Sequence, residues 1–166
     1  MATRSQRASG LIIESQSGIL AMSSYPLTHS KQQLTYAAAA IAIEAAVAKS
    51  REIAAPECIA VVDAGGNLLA FARVDGAAVL ARDPAIAKAA TSASIGAPTG
   101  AIPFEFGANL AFASHGGITN LGGGLPIVFR GELVGAIGVG SGTTEQDVAV
   151  AEAGRDAILA ALSASA

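Results

Sequence analysis

Tryptophan is absent and cysteine occurs once, as Cys58. A single thiol closes no internal disulfide, and no Cys/His set has the spacing of a structural zinc site, so neither a disulfide framework nor a zinc module organises the chain. Charge is scarce as well, at 14% of residues, and the net charge of −3 comes with no basic stripe. Nucleic acid is therefore excluded as the main partner. No apolar run approaches the roughly 20 residues of a membrane span, because Glu14, Lys49, Glu57, Asp63 and Arg73 interrupt the best stretches. Near the amino terminus Arg4 and Arg7 precede the short apolar run Leu11, Ile12 and Ile13, which Glu14 ends before it reaches the length of a secretory core. Residues 1–25 read as an N-terminal arm ahead of one domain over 26–166. An unpaired thiol without an export signal gives a cytoplasmic expectation.

What the chain has in quantity is small residues. Among 166 positions 39 are alanine and 19 glycine, and hydrophobic residues make up 52% although aromatics are only 4%. The core is therefore built with little bulk per residue, which favours close approach of backbones. Residues 11–13 suit a short strand. Ser30–Gln33 has the S-x-x-Q form of a capping box, and Leu34, Ala37, Ala38, Ile41, Ala45 and Ala48 follow at helical spacing until Pro56. Cys58 to Val62, the turn residues 63–67 and Leu68 to Arg73 predict a buried hairpin. Asp83-Pro84 predicts a helix start and Gly96 its end. A helical or irregular stretch over 102–112 carries Phe104, Phe106 and Phe112, a set suited to a subunit interface or to covering a flat ligand. A glycine-dense segment precedes a second hairpin over 127–139 with Arg130-Gly131-Glu132 as its turn, and Thr143–Gln146 caps a terminal helix. Helices segregated between hairpins predict an α+β domain with an antiparallel sheet, not a Rossmann sheet.

Few residues carry chemistry. His29 and His115 are the two imidazoles, and His115, among glycines, is the better placed for acid–base work. Lys88 stands in a helix of alanines, where its ammonium either snorkels or meets a carboxylate such as Asp63 or Asp75, or an anionic ligand. Asp63 reads as a turn residue that could also flank a pocket, and Cys58 reads as core. Gly122, Gly123 and Gly124 form either a backbone wall for a ligand or a tight crossing of loop over sheet.

Several of these segments together resemble the GlcG/HbpS family of haem-binding-like proteins, which includes the carboxy-terminal domain of PduO-type proteins. They are Ile59–Leu68 followed by Arg73–Ala77, the Ala87–Ala93 helix, Leu121–Ile127, and Gly135–Gly142 with Gln146-Asp147 behind it. The resemblance runs from about Leu27 to Leu162. It implies a profilin-like fold with a five-stranded antiparallel sheet between helices, assembled as a homo-oligomer. It also implies a small ligand, haem in some relatives, with iron approached by a histidine near the domain start and a threonine in the later loop. By position these are His29 and Thr119. The expected ligand-binding set is Arg73, Lys88, Gly122, Gly123 and Gly124. The alternative is a small catabolic enzyme or accessory protein acting on an organic acid, or on its lactone or keto product, with His115, Lys88 and Asp63 as acid–base and charge-holding groups.

Overall fold

A computed structural model describes residues 26–165 of the chain. The chain divides into Met1–Lys31 and Gln32–Ala166. In the first unit the described residues are exposed and form no helix or strand, and the expected strand at 11–13 lies outside the described residues.

The second unit holds α1 (Tyr36–Glu52), β1 (Cys58–Asp63), β2 (Leu68–Arg73), α2 (Arg82–Ile95), α3 (Phe104–Ala113), β3 (Gly124–Phe129), β4 (Glu132–Gly140) and α4 (Thr144–Ala164). All pairings are antiparallel, in the order β2-β1-β4-β3. The α+β class is as expected. Among the described residues the sheet has four strands, against the five that the resemblance implied. Central β1 is buried along its whole length, whereas β2 at the edge is half-buried, so only one strand of the first hairpin meets the expected burial.

Alternation along the strands builds two unlike faces. Ile59, Val61, Ile137 and Val139 point towards α1 and α4 and form the larger core with Ile127, Val150 and Ile158. Cys58, Ala60, Val62 and Ala136 point the other way and meet Ala85, Ala89 and Ala93 of α2. This second layer is thin because its residues are small. At Gly138 a Cβ would stand 2.3 Å from the Ala85 carbonyl oxygen and 2.4 Å from the Ala89 nitrogen, so α2 lies directly on the β4 backbone.

Two helix starts differ from expectation. Helix α1 begins after Thr35, whose hydroxyl accepts from the Ala38 N–H at 3.3 Å, and not at Ser30. Leu34 accounts for the delay: it is buried and its N–H donates to the Val134 carbonyl at 2.9 Å, so the chain follows β4 before it can coil. The buried stripe of α1 is consequently Ala39, Ala42, Ala46 and Ser50, leaving Ile41 exposed. Helix α2 begins after a short 3-10 turn at Val79–Ala81, which puts Asp83 inside the first turn, paired with Arg82 at 2.7 Å, instead of at the cap. Pro84 is tolerated there because the first-turn amides have no helical acceptor. Gly96, with φ 64°, ends the helix as expected. The turn of the second hairpin uses Arg130 and Gly131, both with positive φ, as two-residue hairpins favour.

Candidate functional site

Lys88 faces the sheet from α2, one helical turn beyond Ala85 and just before Ala89, where the small-residue layer leaves room for a long side chain to run along it. Its Nζ donates to the Val139 carbonyl at 2.8 Å and to Asp147 Oδ2 at 2.5 Å. Both side chains of this pair are about 5% exposed or less. The partner is therefore Asp147 in the first turn of α4, and neither Asp63 nor Asp75. The Thr143–Gln146 capping box anticipated from the sequence starts that helix, and the Gly142 N–H donates to Asp147 Oδ1 at 3.1 Å. A buried pair of this kind survives only when its remaining valences are met, and here a carbonyl and an amide meet them.

The triple glycine closes over the pair. A Cβ at Gly123, which has φ 108°, would meet the Asp147 Cβ at 2.7 Å and the Val139 carbonyl oxygen at 2.9 Å. At Gly124 it would lie 2.4 Å from the Lys88 carbonyl oxygen, and at Gly122 it would lie 2.5 Å from the Thr144 Cγ2. Tight crossing thus demands glycine at Gly123 and Gly124, where backbone atoms stand in the way, while Gly122 meets only the Thr144 methyl and lines an open cleft of about 330 Å³. Pro84, Lys88, Leu121, Ser141 and Thr144 are among its other walls.

Behind this cleft lies a residue that the sequence reading passed over. Glu57, immediately before β1, is fully buried. Burial first, and then the charge of Asp147, push its carboxyl up to about 7. Its Oε2 is 3.3 Å from Ser141 Oγ, while Oε1 receives no hydrogen bond. Ser141 holds φ at 128°, in the region that favours glycine. The Gln146-Asp147 dipeptide was visible in the sequence; Glu57 offered one signal, an acidic residue abutting a continuous apolar strand.

The other anticipated residues disperse. Asp63 ends β1 at the Gly135 end of the register, whereas Cys58 pairs with Gly140 beside the cleft. There the Asp63 carboxylate accepts from the amides of Gly65 at 2.8 Å and Asn67 at 2.9 Å, which is the turn role. Arg73 is exposed at the end of β2 and donates to the Ala77 carbonyl at 3.2 Å. His115 is exposed just beyond α3, with φ 52°. Thr119 donates its N–H to Thr91 Oγ1 at 3.0 Å, and its own hydroxyl accepts from the Leu121 N–H at 3.2 Å. His29 is exposed in the first unit. Among the described residues no group of three or more His, Cys, Asp or Glu side chains could hold a metal ion. No described helix is long and apolar enough to cross a membrane.

Comparison with known proteins gives these features a family. The chain is 38% identical over 128 residues to an uncharacterised 15.0 kDa protein of the dhaT-dhaS intergenic region of Citrobacter freundii, covering 74% of this chain and 90% of that one. The crystal structure of Klebsiella pneumoniae ORFY superposes with a TM-score of 0.73 at 31% identity, covering 81% of this chain and 96% of its own. HbpS superposes with a TM-score of 0.69 at 32% identity, covering 78% and 93%. A family model described as "Haem degrading protein HbpS-like" matches residues 34–156, and the chain belongs to this HbpS-like family.

Proposed function

We propose that this protein is a homo-oligomeric binder of a small ligand, that haem is that ligand, and that it works in the cytoplasm through one domain over residues 26–166. The observation that carries the reading is the bare aromatic face of α3. Phe104 is 89% and Phe112 88% exposed in a chain with five phenylalanines. They stand two turns apart, within about 80° of each other around the helix. Each gains about 1.5–3 kcal/mol on being covered, so a second copy or a flat ring on this face is strongly favoured.

The cleft above Lys88 is an open one of about 330 Å³, and its ammonium is already committed to Asp147 and Val139. We place haem on the α3 face instead: it is apolar and open, and His115 follows its last turn with an imidazole that can donate a nitrogen to iron. Thr119 lies in the loop beyond, and His29 is the other imidazole. Titrating haem into the purified protein should give a saturable Soret shift at micromolar concentration. His115→Ala should abolish the shift, and His29→Ala should leave it in place. Absence of saturable binding in the unmodified protein defeats the haem assignment.

A second reading is favoured by the cleft itself. Its size suits an organic acid or the corresponding lactone or keto compound, and the Lys88–Asp147 pair with Glu57 beside it is the kind of environment that sets acid–base groups apart. Under this reading the protein is a small catabolic enzyme or accessory protein.

A further inference from the structure

Three buried charged side chains meet where β1, α2 and α4 converge: Glu57, Lys88 and Asp147. Hydrogen bonds reach them unevenly. Asp147 Oδ2 takes the Lys88 ammonium, and its Oδ1 accepts from the Gly142 N–H at 3.1 Å. Glu57 Oε2 accepts from Ser141 Oγ at 3.3 Å, whereas Oε1 is offered no hydrogen. Oε1 is nevertheless closely covered. A Cβ at Gly142 would collide with it, so this oxygen lies on the backbone of the residue whose N–H goes to Asp147. The two carboxyl groups therefore face each other across Gly142, and they act on each other by charge and by a direct hydrogen bond.

A hydrogen bond between two carboxyl groups needs a proton on one of them. Asp147 already faces the Lys88 ammonium, so the proton belongs to Glu57. Within Glu57 it belongs to Oε1, because Oε2 is the acceptor for Ser141. This accounts for the bare oxygen: Oε1 accepts nothing because it donates. Ionised, Glu57 would leave Oε1 with the desolvation penalty of an unsatisfied charge and set two carboxylates against one buried ammonium.

We propose that Glu57 and Asp147 are joined by a single proton, which Glu57 Oε1 donates to Asp147, and that this proton latches the Ser141–Gly142 segment shut over the pair. Its loss to solvent breaks the bond and leaves the carboxylates repelling each other. The Gly142 N–H and the Ser141 hydroxyl favour the charged form of Glu57, but neither brings a positive charge to balance it. Cys58, the next residue of β1, is a thiol pushed up first by burial, and Arg73 at the end of β2 acts on that thiol. Arg51 of α1 and Asp75 beyond β2 line a separate open pocket at Pro56. Relief therefore comes from water reaching Oε1, and the backbone in its way is Ser141–Gly142. Ser141 is exposed, and its φ of 128° is a conformation that it leaves with a gain. Both residues line the cleft, as Asp147 does, so the latch sets the shape of the cleft mouth whichever ligand the protein takes.

The test is hydrogen exchange of the full chain at pH 6 and pH 8, resolved at the Gly142 amide and expressed as protection relative to an unstructured peptide at the same pH. The latched form keeps its proton up to about pH 7, whereas a hydrated Glu57 releases it near 4.5. Protection at Gly142 should therefore fall about tenfold between the two pH values. It should also be lower than that of the Val139 amide in β4; equal protection means that the segment opens only with the whole domain, and overturns the latch. Glu57→Gln places an amide donor where Oε1 gives its proton, and should hold Gly142 protection constant across this interval. A fall that persists in Glu57→Gln overturns the proposal. Infrared difference spectroscopy of the unmodified protein should show a carboxylic acid band at pH 6 that disappears with a midpoint near 7, and its absence is equally fatal. Ser141→Gly decides the matter if Glu57→Gln does not fold: it removes a donor that favours the charged form, so the midpoint of that band should rise, and an unmoved midpoint overturns the arrangement.

Discussion

At the scale of single residues, burial converts ordinary side chains into committed ones. Lys88 was conspicuous in the sequence as a charge among alanines, and that conspicuousness was sound. Its partner was not legible, because Asp147 lies 59 positions away and meets it only when α2 and α4 converge on the end of β4. Glu57 was still less legible, since its one local signal, an acidic residue abutting a continuous apolar strand, does not by itself separate a buried glutamate from a solvated one beside Pro56. Its consequence is measurable. The folded state holds the Glu57 proton up to about pH 7, whereas the unfolded chain releases it near 4.5. Across that window the folded state binds more protons, so this contribution is complete at the acid end and is lost as pH rises. The loss is about 3 kcal/mol at most. Urea unfolding at pH 5 and pH 7.5 should show Glu57→Gln losing less stability over this interval than the unmodified protein. Parallel profiles for the two proteins would count against a neutral, buried acid.

At the scale of elements, local signals were read well where nothing competed with them. Thr143 to Gln146 caps α4, Gly96 ends α2, and both hairpins occur with the expected turns. The failures share one cause. Ser30–Gln33 has the right letters for a cap, but Leu34 is drawn into the core beside Gly135 and the helix waits for Thr35. Asp83 has the right letters too, and the 3-10 turn starts the coil ahead of it. Tertiary packing outranked cap chemistry in each case. The glycines carry a related lesson, because their turn freedom matters less here than the absence of a side chain under a crossing element. Gly138 makes the sharpest case: its substitution by alanine puts a methyl group against the Ala85 carbonyl and the Ala89 amide. These are backbone atoms of α2, so relief requires the helix to move. Overpacking of this kind costs about 1–3 kcal/mol, occasionally more. A urea midpoint for Gly138→Ala within error of the unmodified protein would refute direct seating of α2 on β4.

At the scale of the whole molecule, a chain built from alanine and glycine packs its layers closely but gives little apolar area per residue, and it places its few large side chains unevenly. The sheet faces take isoleucine and valine, whereas phenylalanine is concentrated on α3, where only Gly107 is buried. A helix that leaves its largest side chains in water gains little from its own domain. We expect native mass spectrometry and gel filtration to find the unmodified protein as a homo-oligomer, and the Phe104→Ser/Phe112→Ser double variant as a smaller species. The variant's fold should persist, because neither side chain contributes to the two cores. Far-ultraviolet circular dichroism close to that of the parent would establish this. A parent that runs as a monomer would refute the interface, and the exposed face would then point to the flat ligand alone. A variant that keeps the parent's oligomeric state would move the interface away from α3.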